Sequence, residues 1–448
     1  MAPLLPVAAD HPGSLAAELT TLGGRRVVLV EISSASRRGA ITEADGLVFA
    51  AAARHALQEG LPVVGLISSS GADVHDGVAA LHGWGSAAKA LAACSGRVPV
   101  LLAATGPVVS GPALLLGLAD QVVFTADAYA FVSGPRMVET FTGESLDTTE
   151  LGGAGVHSSF TGVAAMVVPD RDAALDALTD ILAYLPSHAD EEPPRWPCAD
   201  PPDRPTPEAG ACIPASATGG YDVRDVIRAV VDDGDLLELR SHWAPNLVTA
   251  LAVIGGRPVG VVANQPVAIA GTLDIPSSQK GARFVAFCDA MGIPLLTLVD
   301  TPGFYPGKDL EWRGMIRHGA QLAFAYARAT VPRVAVVLRK AYGGAYIVMD
   351  CRTMGSDLYL AWPSAEIAVM GAKGAVEVLH RRATPEERAQ LEVDYETRFL
   401  NPYVAADRGA VDAVIDPADT RRVVAAAFEM LSTKQEHLVA RKHDNSPL

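Results

Sequence analysis

Cysteine is sparse and unpatterned: Cys94, Cys198, Cys212, Cys288 and Cys351 make five, an odd number with no Cys-x-x-Cys among them. Neither a disulfide framework nor a zinc ribbon is indicated, so buried thiols are expected. Positive charge is in deficit, with 36 Lys+Arg against 51 Asp+Glu and a net charge of −15. That balance argues against a counterion-releasing nucleic-acid surface or a binder of anionic membranes. No apolar run approaches the roughly 20 residues of a membrane span. The start, MAPLLPVAADHPG, lacks the basic flank and long apolar region of a secretion signal, and a cytoplasmic protein is expected. The eleven histidines have no ligand-like spacing. No metal site is expected, and every His except His157 is read as structural.

Nothing resembles Gly-x-Ser-x-Gly, a P-loop or His-Glu-x-x-His, and no Gly-x-Gly-x-x-Gly opens a helix. What is present is apolar substance: 49% of the 448 residues are hydrophobic and 19% charged, ample for cores in two or three domains. Residues 187–220 are so rich in proline that neither a helix nor a central strand is expected there, since each proline removes a backbone donor. This segment reads as a linker between residues 22–186 and 221–448, with 1–21 as an N-terminal segment. Both blocks alternate β-branched runs with Ala-rich stretches, which reads as α/β.

The blocks align with each other. Leu22-Gly23-Gly24-Arg25 matches Ile254-Gly255-Gly256-Arg257 at an offset of 232, and Leu61-Pro62 matches Ile293-Pro294 at the same offset. Val98-Pro99 matches Val331-Pro332 at 233, and Ser110-Gly111-Pro112 then falls on Gly343-Gly344-Ala345. One insertion accounts for the shift. The chain reads as a tandem duplication of one α/β unit, each copy starting its first strand near Arg25 or Arg257.

In each copy an apolar strand runs into a small-residue turn and a helix, as in VAVVLRK-AYGGAY-IVMD. Glycine lets a ligand approach the backbone, and free N–H groups at a helix start carry partial positive charge that can hold a developing oxyanion. A turn that needs glycine only for close packing is the plainer reading of that motif alone. The strand-end turns at 68–77 and 300–309 carry Asp300, Lys308 and Asp309. Each could act as acid or base, but solvated loop charge is the expectation for each.

Long motifs then carry a resemblance. SSSGADVHDGVAALHGWG, FVSGPRMVETFTGESLDTTELGGAGVHSSFTGVA, YDVRDVIRAVVDDGDLLELRSHWAP, KGARFVAFCDAMGIPLLTLVDTPGFYPG, RHGAQLAFAYARATVPRVAVVLRKAYGGAYIVM and AWPSAEIAVMGAKGAVEVL occur in order. Over roughly residues 22–440 the chain resembles the carboxyltransferase (beta) subunits of biotin-dependent acyl-CoA carboxylases. The resemblance implies two crotonase-like domains, the first for acyl-CoA and the second, from a neighbouring protomer, for carboxybiotin. It implies a hexamer that works with a separate biotin carboxylase and biotin carboxyl carrier chain. A mixed oligomer with a related carboxyltransferase is the other possibility.

By motif match, Gly344 and Ala345 hold the biotin carbonyl, with Gly343 beside them, while Ser110 and Gly111 face the thioester. Ser70, Gly71 and Ala72 fall beside the CoA, and Ile347 falls where the family sets acyl-chain selectivity. The implied activity carboxylates acetyl-CoA or propionyl-CoA to malonyl-CoA or methylmalonyl-CoA. The alternatives are a decarboxylase subunit and a non-catalytic partner of a full-length carboxyltransferase. Two departures fall in the acyl-CoA half. Where the family reads Ser-Gly-Gly-Ala-Arg this chain has Ser69-Ser70-Gly71-Ala72-Asp73, and where it reads Ala-Gly-Gly-Ala it has Val109-Ser110-Gly111-Pro112.

Overall fold

The computed structural model describes residues 5–6, 13–214, 216 and 219–447. Most of the N-terminal segment, residues 1–4 and 7–12, and residues 215, 217 and 218 of the Pro-rich segment lie outside the described residues, as does 448. The chain forms two compact units. One comprises the chain up to Pro194 with Arg240–Trp243 and Ala290–Gly292; the other comprises Arg195–Leu239, Ala244–Asp289 and Ile293 onward.

In the first unit a hairpin of strands Leu15–Leu22 and Arg25–Ile32 turns through Gly23 and Gly24, both at positive φ (54° and 81°). Two such residues in succession make the tight turn whose twist matches the strands. From Arg25–Ile32 the sheet continues in parallel through Val63–Ser69, Val100–Val109, Gln121–Thr125 and Met166–Val168. Every residue of Val63–Ser69 is buried, as a central parallel strand covered on both faces requires. Helix Glu43–Glu59 is held at its start by a capping box between Thr42 and Asp45 and stops at Gly60 in the left-handed region. It crosses helix Val78–Cys94 so closely that a Cβ on Gly46 would lie 2.0 Å from the Gly83 carbonyl carbon.

The second unit repeats this sheet. Strands Leu247–Ile254, Arg257–Asn264, Leu295–Thr301, Arg333–Tyr342, Leu358–Ala361 and Ala413–Val414 follow one another in the same order. The duplication extends to backbone detail. Arg37, Arg38 and Gly39 at φ 47°, 55° and 71° are matched by Ile269, Ala270 and Gly271 at 40°, 57° and 71°. Both glycines dock on the next strand, since a Cβ on Gly39 would strike the Ser68 carbonyl oxygen and one on Gly271 that of Asp300.

Three expectations change. Cys198 is exposed and Cys212 only partly buried, whereas Cys94, Cys288 and Cys351 are the buried thiols expected. The copies begin one strand earlier than Arg25 and Arg257, because Leu15–Leu22 and Leu247–Ile254 each pair antiparallel with the strand that follows. The first of these, LAAELTTL, has too few β-branched residues to announce itself. The Pro-rich segment does hold a helix, Pro207–Ala211, because its proline sits in the first turn, where no N–H is needed. The segment also packs onto the second unit: Trp196 N–H donates to Gly256 O at 2.8 Å, and the buried Arg421 guanidinium donates to the carbonyls of Pro201 and Asp200. Among the described residues no helix is long and apolar enough to cross a membrane.

Candidate active site

In the second unit, strand Arg333–Tyr342 runs into the short helix Gly343–Val348. Gly343 has φ +60°, and a Cβ there would lie 3.1 Å from the Val369 carbonyl oxygen, so glycine is required on both conformational and spatial grounds. Strand Glu366–Ala368 pairs with Lys340–Tyr342 and fixes the turn from the side. Gly343, Gly344 and Ile347 line a cavity of about 560 Å3, completed chiefly by Ile367, Val369, Tyr395, Phe399, Val404 and Arg408. That volume is in the range of small-molecule sites, roughly 300–1,000 Å3. Ala345 is fully buried behind this wall, and Ile347 is 38% exposed.

Two buried ion pairs hold the strand that leads to the turn, one near each of its ends. Asp300 is buried, not a solvated loop charge: it accepts from Arg339 Nε at 3.0 Å, Tyr221 OH at 2.8 Å and the Lys340 N–H at 3.1 Å. Burial pushes its carboxyl up, opposed by the Arg339 charge. Strand Leu295–Thr301 is central, so the aspartate at its end faces strand Arg333–Tyr342 and not water. The second pair joins Arg333, the first residue of the strand, to Asp350, two residues past the helix, at 2.6 Å. Both are buried, and burial raises the Asp350 carboxyl to about 7 despite the Arg333 charge. Lys308 and Asp309 are exposed charges as expected, but they open the short helix Lys308–Trp312 and do not lie in a loop, Lys308 over the Trp312 ring at 4.0 Å and Asp309 paired with Arg313.

In the first unit, Val100–Val109 runs into helix Gly111–Leu118 through Ser110, whose backbone (φ +64°, ψ −137°) is unusual for a residue with a side chain. Its N–H donates to Phe131 O at 2.9 Å, its side chain caps nothing, and it is exposed. Gly111 opens the helix, its N–H without an intrahelical acceptor. Pro112 follows with no N–H at all. Strand Gly71–Ala72 pairs with Ala40–Ile41 and brings Gly71 beside this turn, a Cβ on it falling 3.5 Å from Ser110 Cβ. Ser70 holds the loop through its N–H to Arg38 O at 3.1 Å. Five of the residues singled out by sequence, Ser70, Gly71, Ala72, Ser110 and Gly111, therefore gather here.

Asp73 forms an ion pair with Arg37 and accepts from His75 N–H at 2.9 Å. That backbone bond, then Arg37, holds its carboxyl below the usual range. The charge reversed relative to the family motif is thus paired with Arg37, 36 residues earlier in the chain. His157, the one histidine set apart, is also satisfied: Nε2 lies 2.8 Å from Ala130 O and Nδ1 2.9 Å from Thr161 Oγ1. Desolvation lowers its pKa, and the Ala130 carbonyl, which can only accept, calls for a proton on Nε2. The cavity residues Tyr395, Phe399, Val404 and Arg408 were not found by sequence reading. They lie on helices Pro385–Phe399 and Pro402–Asp407 or just after, with no motif to announce them.

The carboxyl transferase domain model matches residues 11–446. The chain is 43% identical over 431 residues to the propionyl-CoA carboxylase beta chain of Roseobacter denitrificans, covering 96% of this chain and 84% of that protein. It is also 43% identical to the methylmalonyl-CoA decarboxylase subunit alpha of Propionigenium modestum, covering 87% of this chain and 77% of that one. The crystal structure of transcarboxylase 12S, a hexamer assembly with hydrolysed methylmalonyl-coenzyme A bound, superposes with a TM-score of 0.95 at 42% identity, over 97% of this chain and 85% of that one. With its two crotonase-like units and amide-bearing turns, the chain belongs to the carboxyl transferase domain family, the carboxyltransferases of biotin-dependent acyl-CoA enzymes.

Proposed function

We propose that this chain transfers carboxyl from carboxybiotin to propionyl-CoA, giving methylmalonyl-CoA, as the carboxyltransferase subunit of a biotin-dependent carboxylase. The observation that carries the reading is the glycine turn at Gly343 and Gly344, opening on an apolar cavity walled by Ile347. A cavity of that size, with glycines where a side chain would intrude, suits a flat cyclic urea. Carboxybiotin supplies activated carbon dioxide: its N–C bond breaks, the ureido nitrogen keeps the electron pair and takes a proton from the acyl α-carbon, and the thioester enolate bonds to the released carbon dioxide. The protein supplies no nucleophile. Gly344 and Ala345 N–H groups face the ureido oxygen, Ser110 and Gly111 face the thioester oxygen, and Ser70, Gly71 and Ala72 line the CoA side.

Propionyl-CoA is favoured over acetyl-CoA by the relatives' own substrates, and an apolar Ile347 offers dispersion to an ethyl group. Biotin is delivered in trans on a carrier chain, the assembly is a homo-hexamer, and the location is cytoplasmic. Turnover on an acyl-CoA panel with the cognate biotin subunit tests the reading; equal turnover of acetyl-, propionyl- and butyryl-CoA would remove the substrate assignment. Avidin blotting of the purified chain, light scattering and cell fractionation check the other three points. The identity to a decarboxylase subunit favours one second reading, the same transfer run from methylmalonyl-CoA to biotin.

A further inference from the structure

The cavity beside Gly343 and Gly344 is apolar except at one place. Among the described residues lining it, Arg408 alone carries a charge, set among Ile347, Ile367, Val369, Phe399 and Val404. No ion pair or hydrogen bond holds the Arg408 guanidinium among the described residues. Its backbone, by contrast, is well fixed. Arg408 follows helix Pro402–Asp407, which Asn401 caps by accepting from Val404 N–H at 3.0 Å and which buries Pro402 and Ala405. The strand Ala413–Val414 just beyond pairs with Leu358–Ala361, and the helix packs on Glu366–Ala368, the strand that braces the glycine turn.

We propose that Arg408 binds the carboxylate in transfer, a proposal that rests on reading this cavity as the carboxybiotin side. A planar guanidinium matches a carboxylate with two parallel hydrogen bonds, and Arg408 is exposed beside the apolar wall, where an incoming anion can reach it. Biotin's tail is amide-linked when carried on a lysine and so has no charge. The transferred carboxylate is then the one anion the donor brings. The plainer alternative is a surface arginine whose stem covers apolar wall while its head stays in water, favoured there by the helix C-terminus.

The test runs the reaction backward with the purified full chain: release of propionyl-CoA from methylmalonyl-CoA, with free biotin or biotin methyl ester as acceptor. Arg408→Gln is expected to lower kcat/KM about 10- to 100-fold, equally for both acceptors, with an unchanged melting temperature, and Arg408→Lys to recover part of the loss. A loss confined to free biotin would assign Arg408 to the tail and overturn the proposal. No loss with either acceptor, or a loss that tracks a fall in melting temperature, would do the same. Wild-type release that ignored both acceptors would instead overturn the reading of the cavity on which the proposal rests.

Discussion

Ser110 and Gly343, 233 positions apart, each follow their strand with nearly the same positive φ, +64° and +60°. The register set by this pair places Gly111 on Gly344 and Pro112 on Ala345. One N–H is therefore missing from the first unit's turn, and the Ser110 N–H cannot replace it because Phe131 O already takes it. The hydroxyl of Ser110, exposed and free of any capping bond, is the group left to do so.

Ser110→Gly should therefore raise stability and lower activity together. Removing a side chain from such a backbone relieves about 1 kcal/mol or more, while losing an oxyanion donor costs about 100- to 1000-fold in rate. Adding Pro112→Ala recreates the Gly-Gly-Ala of the second unit and should restore much of the rate. Thermal melting and carboxyl transfer, measured on the single and double variants, check both halves.

Ile347→Asp should redistribute turnover among acetyl-, propionyl- and butyryl-CoA, because a carboxylate at the cavity wall has no apolar partner to offer. The expected change in preference is about 10- to 200-fold per methylene. An equal fall for all three substrates would make Ile347 structural.

Arg339→Met should destabilise the protein by about 3–5 kcal/mol, since it leaves Asp300 buried with its charge unmatched. Asp300→Ser with Arg339→Gly reproduces the residues at the matching places in the first unit, Ser68 and Gly106. Denaturant titration should show the double variant losing less than the Arg339→Met single.

Asp350 gives a pH dependence with a definite sign. Burial lifts its carboxyl from about 3.9 in the unfolded chain to about 7 when folded. The folded protein then holds a proton that the unfolded chain has released, so this stability is complete below about pH 4 and fades as the pH rises toward 7. Relative to Asp350→Asn, the wild type should lose up to about 4 kcal/mol across that window. Parallel pH profiles for the two proteins in denaturant unfolding would contradict this.

The repeat was legible in the sequence because Gly-Gly turns, hydrophobic-Pro strand starts and small-residue strand exits recur at a nearly constant offset. Each is a local backbone demand, met by nearest neighbours in the chain. The glycine turns at 110–112 and 343–345 were legible for the same reason. The alternating, weakly β-branched strand Leu15–Leu22 was not, since its conformation depends on pairing with Arg25–Ile32 more than on its own residues. Nor was the role of Asp300: at a strand end it looks solvated, and only the neighbouring strand that brings Arg339 to 3.0 Å makes it an ion pair. Nor was the pairing of Asp73, which is met by Arg37, 36 residues earlier. Arg408 belongs to the cavity through a helix packed on the strand Glu366–Ala368. Sequence alone determined the family, the duplication and the amide-bearing turns, which are short-range; tertiary packing decided which charges are buried, paired or left exposed at a cavity.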